Sequence, residues 1–283
     1  MAKLNSSFIK NYVNDFLKED GFLENFHYIN SLPDDIVNCQ LKVKSDLVMA
    51  GLPFFFEVFN LYLDEKLDDK SLLSLEGQYV TEKEKKEIHF KLPFSVALTL
   101  ERIALNLLNR MCSIATTTNQ FVSLIEGSET KILDTRKTTP GLRAFEKYAV
   151  RIGGGYNHRM HQVDTWMVKD NHKSFFGGLE QAINFFKSQG GFYQNMVVEI
   201  HDLQELEKAI KLGVQYVMLD NFSLAQVTQA IEIKPKYMTY EVSGGINHSS
   251  VKSYAIKGVD AISVGMLTYA PQKVDLSLKY QRA

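Results

Sequence analysis

Residues 196–245 read MVVEIHDLQELEKAIKLGVQYVMLDNFSLAQVTQAIEIKPKYMTYEVSGG. Three short apolar runs in this stretch, MVVEI, YVMLD and YMTYEV, alternate with the amphipathic segments LQELEKAIKLG and LAQVTQAIEI. Apolar runs rich in Val, separated by helical segments, are typical of consecutive βα units in a parallel sheet or barrel. The stretch therefore predicts an α/β fold of this kind.

The same alternation extends on both sides, from Lys131 to Gly265. The runs KILDT and TWMVK come before the stretch, and SVKSYAIKG followed by AISVG comes after it. Two of the predicted helices end at Gly213 and Gly258, where a helix cap favours a residue that can adopt a positive φ. Six predicted strands with intervening helices indicate a barrel-like domain over residues 129–268.

Residues 1–128 have a different pattern, in which apolar segments do not recur at a fixed spacing. Phe8 to Leu17 is amphipathic at helical spacing, and LVMAGLPFFFEVFNLYL joins a short strand to a helix through Gly51-Leu52-Pro53. The stretch beginning EIHFKLP is strand-like and then becomes a long helical pattern. The first 128 residues are therefore predicted to form a separate mixed α and β domain.

Composition excludes several classes of protein. The chain has 283 residues, and 32 Lys and Arg nearly balance 33 Asp and Glu. A balanced charge gives no field that would attract nucleic acid or an anionic membrane, and no apolar run approaches the roughly 20 residues that span a bilayer. The N-terminal residues lack the apolar core of a secretory signal, and two cysteines, Cys39 and Cys112, cannot form a disulfide framework. A cytoplasmic enzyme is the expectation.

Polar residues or glycines follow each predicted strand of the second domain. Because the carboxyl ends of barrel strands open onto one face, positions roughly 20 to 30 residues apart in sequence would converge there. One polar residue at a strand end often marks only the point where the chain meets water, but six in succession indicate a site. In chain order they are Arg136 with Lys137, Lys169, Glu199, Asp220, Ser243-Gly244-Gly245 and Gly265.

The order of charges along these strands suggests an anionic substrate. The cations are suited to carboxylates or phosphates, and the planar fork of arginine can bind a carboxylate through two hydrogen bonds. Glu199 and Asp220 would repel such a substrate unless a hard divalent cation such as Mg²⁺, or ribose hydroxyls, lay between them and a pyrophosphate. The cationic set is Arg102, Arg136, Lys137, Arg159 and Lys169.

Two glycine-rich segments add to this pattern. SGGIN (243–247) and SVG (263–265) follow the last two strands, where backbone N–H groups commonly hold a phosphate. GGGYNHRM (153–160) would let the backbone approach a ligand closely and then present His158 and Arg159.

The chain resembles the quinolinate phosphoribosyltransferases in motifs spread over residues 101–268. DTRKTTPGLR followed by GGGYNHR is the most specific pair. The other matching stretches are ERIALNLLNRMCSIAT, VKDNH, VVEI, MLDN, EVSGGIN and GVDAISVGMLT. Two segments depart from the family pattern: residues 21–33, where a Gly-Asp-hydrophobic-Thr segment is usual, and Thr268-Tyr269-Ala270, where Thr-His-Ser is common.

The resemblance implies an N-terminal α/β sandwich and an incomplete, open α/β barrel, with the tail 269–283 returning to the first domain. It implies a dimer at least, in which Arg102 reaches the neighbouring subunit's site. Quinolinate would be bound by Arg102, Arg136, His158, Arg159 and Lys169. Phosphoribosyl pyrophosphate would be bound by Lys137, Glu199, Asp220, Ser243, Gly244, Gly245 and Gly265, with Mg²⁺ near Glu199 and Asp220. The implied catalytic set is Lys137, Lys169, Glu199 and Asp220.

Three alternatives stay open at the level of sequence, because fold does not fix the substrate. A relative of the same fold could act on another acceptor, as do the phosphoribosyltransferase-like proteins found with molybdate transport systems. A non-catalytic barrel could bind phosphorylated metabolites. An isomerase or aldolase would show a lone Schiff-base lysine, whereas Lys137 and Lys169 lie among other cations.

Overall fold

The computed structural model describes residues 6–21, 24, 26–67 and 69–283. The chain divides into two compact units, one containing the residues up to Thr116 together with Gln272–Ala283, and one formed by Thr117–Pro271. The first five residues of the N-terminal stretch, and Phe22, Leu23 and Asn25 of the segment that departs from the family pattern, lie outside the described residues. In the part of the chain that is described, no helix combines the length and the apolar character needed to span a bilayer.

The first unit is built on a three-stranded antiparallel sheet in the order β11-β1-β4. Residues of β1 (Ile36–Val43) alternate between buried and more exposed, so that one face of the strand enters the core. Its partners are β4 (Glu87–Pro93) and β11 (Leu276–Arg282), and Leu41 pairs with Ile88 on one side and Leu278 on the other. The tail expected to return to the first domain thus supplies an edge strand.

The helices of this unit are α1 (Ser6–Glu19), α2 (Phe26–Ser31) and α3 (Leu52–Asn60), and a small hairpin is formed by β2 (Leu47–Val48) and β3 (Tyr79–Val80). Gly51 precedes α3 with φ 106°, and Pro53 occupies its first turn. Edge-to-face contacts join Phe55 with Phe56 and Phe59 within α3, and Phe56 with Phe90 of β4, in the core. The long helix α4 (Phe94–Leu124) follows β4 directly.

The second unit contains a six-stranded sheet in the order β5-β10-β9-β8-β7-β6, and every neighbouring pair is parallel. The strands are β5 (Lys131–Leu133), β6 (Trp166–Val168), β7 (Met196–Ile200), β8 (Tyr216–Asp220), β9 (Thr239–Ser243) and β10 (Ala261–Ser263). Their helices are α5 (Arg143–Ile152), α6 (Asp170–Phe176), α7 (Leu179–Gln189), α8 (Leu203–Lys211), α9 (Leu224–Glu232), α10 (Val251–Tyr254) and α11 (Met266–Tyr269). The prediction of an incomplete barrel beside a separate α/β domain is confirmed. Each predicted strand of the barrel is present.

Register places apolar and charged residues in successive layers of the sheet. Met167, Val197 and Met218 form a buried cluster against which Tyr216 packs. Met218 pairs with Glu199 on one side and with Glu241 on the other, so these three side chains share a face. The apolar cluster therefore reaches the layer of the two carboxylates through Met218, which lies between them in register.

Two boundaries differ in position from the sequence predictions. The domain boundary expected at residue 128 lies after the end of α4. The two compact units divide after Thr116 instead, and α4 continues without a break from one unit into the other. The helix expected over SVKSYAIKG is only the short α10, because the Ile256 N–H turns back to the Tyr254 carbonyl at 2.9 Å and ends it.

Candidate active site

The predicted strand-end positions of the second unit lie along one edge of its sheet. Lys169 directly follows β6, Glu199 is the penultimate residue of β7, and Asp220 ends β8 opposite Ser243 at the end of β9. Since all six strands are parallel, these residues share the carboxyl edge. Gly265 follows β10 at the same edge, and the loop carrying Arg136 and Lys137 follows β5.

Lys169 and Glu199 form an ion pair at this edge. Lys169 Nζ lies 2.8 Å from Glu199 Oε2, and the carboxylate side chain is 10% exposed against 45% for the lysine. The Lys169 backbone N–H donates to His172 Nδ1 at 3.0 Å as α6 begins. The cap of α6 thereby fixes the lysine beside the buried carboxylate, with its ammonium group open to a ligand.

Further acidic and imidazole groups surround Glu199. His201 Nε2 lies 2.5 Å from Asp170 Oδ1 and 3.6 Å from Glu199 Oε1, and its Nδ1 lies 3.9 Å from Asp220 Oδ2. Burial acts to raise the pKa of Asp170, but the hydrogen bond from Lys173 and the charges of His201 and Lys173 lower it overall.

The carboxylates of this cluster have the donor chemistry of a hard divalent cation, whereas its imidazole nitrogen is a less usual ligand for Mg²⁺. Asp170, Glu199 and His201 can each offer one ligand atom, and these atoms lie within 4.8 Å of one another. Asp220 adds a carboxylate next to His201. Carboxylate oxygens are the protein ligands that Mg²⁺ prefers.

Two guanidinium groups of the second unit, those of Arg136 and Arg159, influence each other. Arg159 Nη1 donates to the carbonyl oxygens of Gln162 at 3.0 Å and Thr165 at 2.6 Å, which fixes its side chain. Burial and the positive charge of Arg136 lower the pKa of Arg159. A bound anion would relieve the repulsion between these cations, so the pair is suited to a carboxylate ligand.

A buried ion pair supports the loop that carries His158 and Arg159. Asp134 and Lys147 have fully buried side chains in direct contact. Asp134 also accepts the His158 backbone N–H at 2.8 Å and Asn157 Nδ2 at 2.6 Å. Burial raises the pKa of Asp134 and lowers that of Lys147, because it disfavours both charged forms. Contact with the opposite charge is what favours the ionised form of each side chain. Through these hydrogen bonds the ion pair fixes the position of the loop that carries His158 and Arg159.

The segment Ser243-Gly244-Gly245 turns sharply at the end of β9. Gly244 has φ 96°, and a Cβ placed there would lie 2.3 Å from Asn221 Oδ1. Asn221 itself has φ 58°, and its N–H donates to the Ser243 carbonyl at 2.8 Å. A side chain at Gly244 would clash with Asn221, so glycine at this position allows the loops after β8 and β9 to pack closely.

Lys137 and Gly265 are close neighbours. A Cβ placed at Gly265 would lie 3.2 Å from Lys137 Cδ and 3.1 Å from the ring of Tyr269. The Thr268 hydroxyl donates to the Lys137 carbonyl at 2.7 Å. Tyr269 stands where the family commonly has histidine, and its side chain is exposed. Arg102 lies in the first unit, at an exposed position of α4.

Comparisons with known proteins place the chain in a family. The family profile described as quinolinate phosphoribosyl transferase, C-terminal domain, matches residues 114–279, more than half of the chain. The Bacillus subtilis protein named probable nicotinate-nucleotide pyrophosphorylase (carboxylating) is 34% identical over 270 residues, covering 95% of this chain and 92% of its own. The chain belongs to the quinolinate phosphoribosyltransferase family.

Other members of the quinolinate phosphoribosyltransferase family agree over the full length. The Dictyostelium discoideum nicotinate-nucleotide pyrophosphorylase (carboxylating) is 33% identical, covering 97% of this chain and 96% of its own. The crystal structure of NadC from Streptococcus pyogenes superposes with a TM-score of 0.87 at 33% identity, covering 99% of this chain and 100% of that one. The resemblance recognised from the motifs is confirmed.

Several residues of this quinolinate phosphoribosyltransferase site were not predicted. Asp170 directly follows Lys169, His201 lies two residues after Glu199, and Asp134 ends an apolar run just as Asp220 does, so position alone could have indicated them. Lys147 lies inside an amphipathic helix and Glu241 inside an apolar strand, where no sequence pattern marks a buried charge.

Proposed function

We propose that this chain is a carboxylating nicotinate-nucleotide pyrophosphorylase. It would join quinolinate to phosphoribosyl pyrophosphate and release nicotinate mononucleotide, pyrophosphate and carbon dioxide, a step in NAD biosynthesis. The supporting observation is that one unit contains both a cationic pair and an acid cluster. The positive charges of Arg136 and Arg159 act on each other, and Asp170 and His201 surround Glu199 at the carboxyl edge of the sheet. Guanidinium groups suit the two ring carboxylates, and the acids suit a metal-bound diphosphate.

The cations act by orientation in this proposal. Arg136, Arg159 and Lys169 bind the carboxylates, with the imidazole of His158 beside them, so that the ring nitrogen points at the anomeric carbon, which converts an encounter into an oriented attack. The C–O bond to pyrophosphate breaks as the new C–N bond forms. Glu199 or Asp220 stabilises the positive charge that develops on the ribose ring.

The leaving group is the second requirement. Lys137, beside Gly265, and the backbone of Ser243-Gly244-Gly245 would bind phosphate oxygens. Glu199 and Asp220, with Asp170 and His201 beside them, would hold Mg²⁺. When bound, this ion would neutralise charge on the departing pyrophosphate.

Loss of carbon dioxide needs no further cofactor. Once the ring nitrogen is quaternary, the bond between the adjacent ring carbon and its carboxylate can break, and its electron pair stays on that carbon beside the positive nitrogen. A proton then replaces the carboxylate. The residues therefore need only keep the ring in place during this step.

The direct test supplies purified protein with quinolinate, phosphoribosyl pyrophosphate and Mg²⁺, with nicotinate in a parallel reaction. Mononucleotide and equimolar carbon dioxide from quinolinate alone are expected. Turnover of nicotinate instead, or binding without turnover, would contradict the proposal. Arg136→Ala and Arg159→Ala should each weaken quinolinate binding by roughly 2 to 5 kcal/mol if the contacts are desolvated, and unchanged affinity in both would refute their roles.

We further propose a cytoplasmic homodimer in which Arg102 completes the site of the partner subunit. A mixture of Arg102→Ala and Lys137→Ala proteins, unfolded and refolded together, tests this arrangement. If Arg102 acts across a two-fold interface, half the dimers are mixed and each has one intact site, so about a quarter of wild-type activity returns. If Arg102 acts within its own subunit, the mixture stays as inactive as its components.

A further inference from the structure

The two ring nitrogens of His158 have different surroundings. Nδ1 accepts the backbone N–H of Arg159 at 2.7 Å, and an accepting nitrogen carries no proton. Nε2 lies 3.3 Å from Glu241 Oε2, and the imidazole is 11% exposed. The hydrogen bond at one nitrogen of a neutral histidine decides which nitrogen is protonated, so the ring proton belongs on Nε2, facing Glu241.

Glu241 is itself held in one orientation. It lies inside β9 with a nearly buried side chain, and the Ser263 hydroxyl of β10 donates to its Oε1 atom. This contact leaves Oε2 for the histidine. A buried carboxylate is costly unless hydrogen bonds satisfy it, and Val or Leu would suit a central strand better.

Other charged groups near His158 contact its backbone. Lys147 Nζ lies 3.2 Å from the His158 carbonyl, and Asp134 accepts the His158 N–H at 2.8 Å. These contacts fix where the loop runs. They leave the rotation of the imidazole to be fixed by Glu241 and the Arg159 N–H.

We propose that Glu241 is a positioning residue that accepts the Nε2 proton of His158 and, with Ser263, sets the orientation of the imidazole for substrate binding. The Arg159 N–H donates to the same imidazole, so the orientation of the His158 ring and the position of the Arg159 backbone are fixed together. The part of this inference that concerns substrate rests on the proposed function, whereas the orientation of the ring does not.

The ring proton can be observed without any turnover. In protein labelled with ¹⁵N-histidine, near pH 8 where a typical imidazole is neutral, His158 should show a protonated Nε2, an unprotonated Nδ1 and a slowly exchanging N–H signal. His158→Gln assigns that signal among the seven histidines. A proton on Nδ1, or rapid exchange at Nε2, would overturn the inference even if the enzyme proved fully active.

Variants separate hydrogen bonding from packing. Glu241→Gln keeps an oxygen acceptor and should retain the signal, whereas Glu241→Met keeps the volume and should lose it. Val242→Ala is the matched control, since this buried neighbour points to the other face of β9 and its loss of packing should leave the signal in place. If the Met variant does not fold, Ser263→Ala, which frees the carboxylate, should accelerate exchange at Nε2. Unchanged exchange in every folded variant would contradict the proposal.

Kinetics then test the consequence for substrate. For a histidine that binds a metal, loss of the group that orients it typically costs about 10-fold to 100-fold in affinity or activity, and we expect the low end of that range here. Glu241→Met should therefore raise the KM for quinolinate by about tenfold or more, with the KM for phosphoribosyl pyrophosphate little changed, and Glu241→Gln should restore most of the loss. Equal effects on both KM values, or a Gln variant as impaired as the Met variant, would overturn the positioning role.

Discussion

Replacing Lys147 by methionine removes one member of the buried ion pair beneath the His158 loop and keeps most of the side-chain volume. Both side chains of the pair are fully buried. After the substitution Asp134 retains the donors from His158 and Asn157 but loses Lys147, its only charged contact within the described part of the chain. The carboxylate would then be buried without a compensating charge.

The expected loss is large relative to the stability of a domain. Breaking a buried pair by removing one partner costs about 3 to 5 kcal/mol, against a total of about 5 to 15 kcal/mol for a typical protein. Asp134→Asn should cost a similar amount, because it leaves the lysine charge buried. The double variant should lose less than the sum of the single losses, by about 2 kcal/mol.

The single tryptophan makes the assay specific. Trp166 begins β6 in the same compact unit as the pair, so its fluorescence during urea unfolding reports the stability of that unit. The slope of the free energy of unfolding against urea should stay constant across the four proteins. Single losses below about 1 kcal/mol, or additivity in the double variant, would refute the reasoning.

Three further predictions concern other features of the molecule. Gly244→Ala should lower the free energy of unfolding by about 2 kcal/mol or more through its clash and its positive φ. Gly245 also has a positive φ, 62°, but has open space around it, so the control Gly245→Ala should lower the free energy of unfolding by only about 1 kcal/mol. Equal losses for the two variants in urea unfolding would show that the clash at Gly244 does not contribute. Burial raises the pKa of Cys39 to about 11 and of Cys112 to about 12, so both thiols should resist alkylation near pH 8 until urea unfolds the chain. EDTA should abolish turnover and added Mg²⁺ should restore it, whereas full activity in EDTA would contradict the metal proposal.

The barrel strands could be predicted because their chemistry is periodic. Each is a short apolar run that ends in a polar residue, and this repeat places Glu199, Asp220 and Ser243 at the same edge of a parallel sheet. The conclusion needs only the rule that parallel strands end together. It is independent of how individual side chains pack.

The support of the site could not be predicted in the same way. Asp134 follows β5 and Lys147 lies 13 residues later inside α5, and only the fold shows that both are buried and in contact. Glu241 pairs in register with Met218, a relation that arises from the shift between neighbouring strands. Pairings of this kind depend on distances across the sheet, which a single sequence does not contain.

The position of β11 in the sheet determines when, during synthesis, the first domain can complete its sheet. The central strand β1 is made before the parallel sheet, yet one of its two partners consists of residues 276–282 and leaves the ribosome only after all six strands of that sheet. Until then β1 has an open edge of the kind that promotes aggregation, whereas all six strands of the parallel sheet have already been made. The first domain can therefore complete its sheet only after the strands of the parallel sheet have been made, and deleting residues 276–283 should destabilise the domain that contains β1.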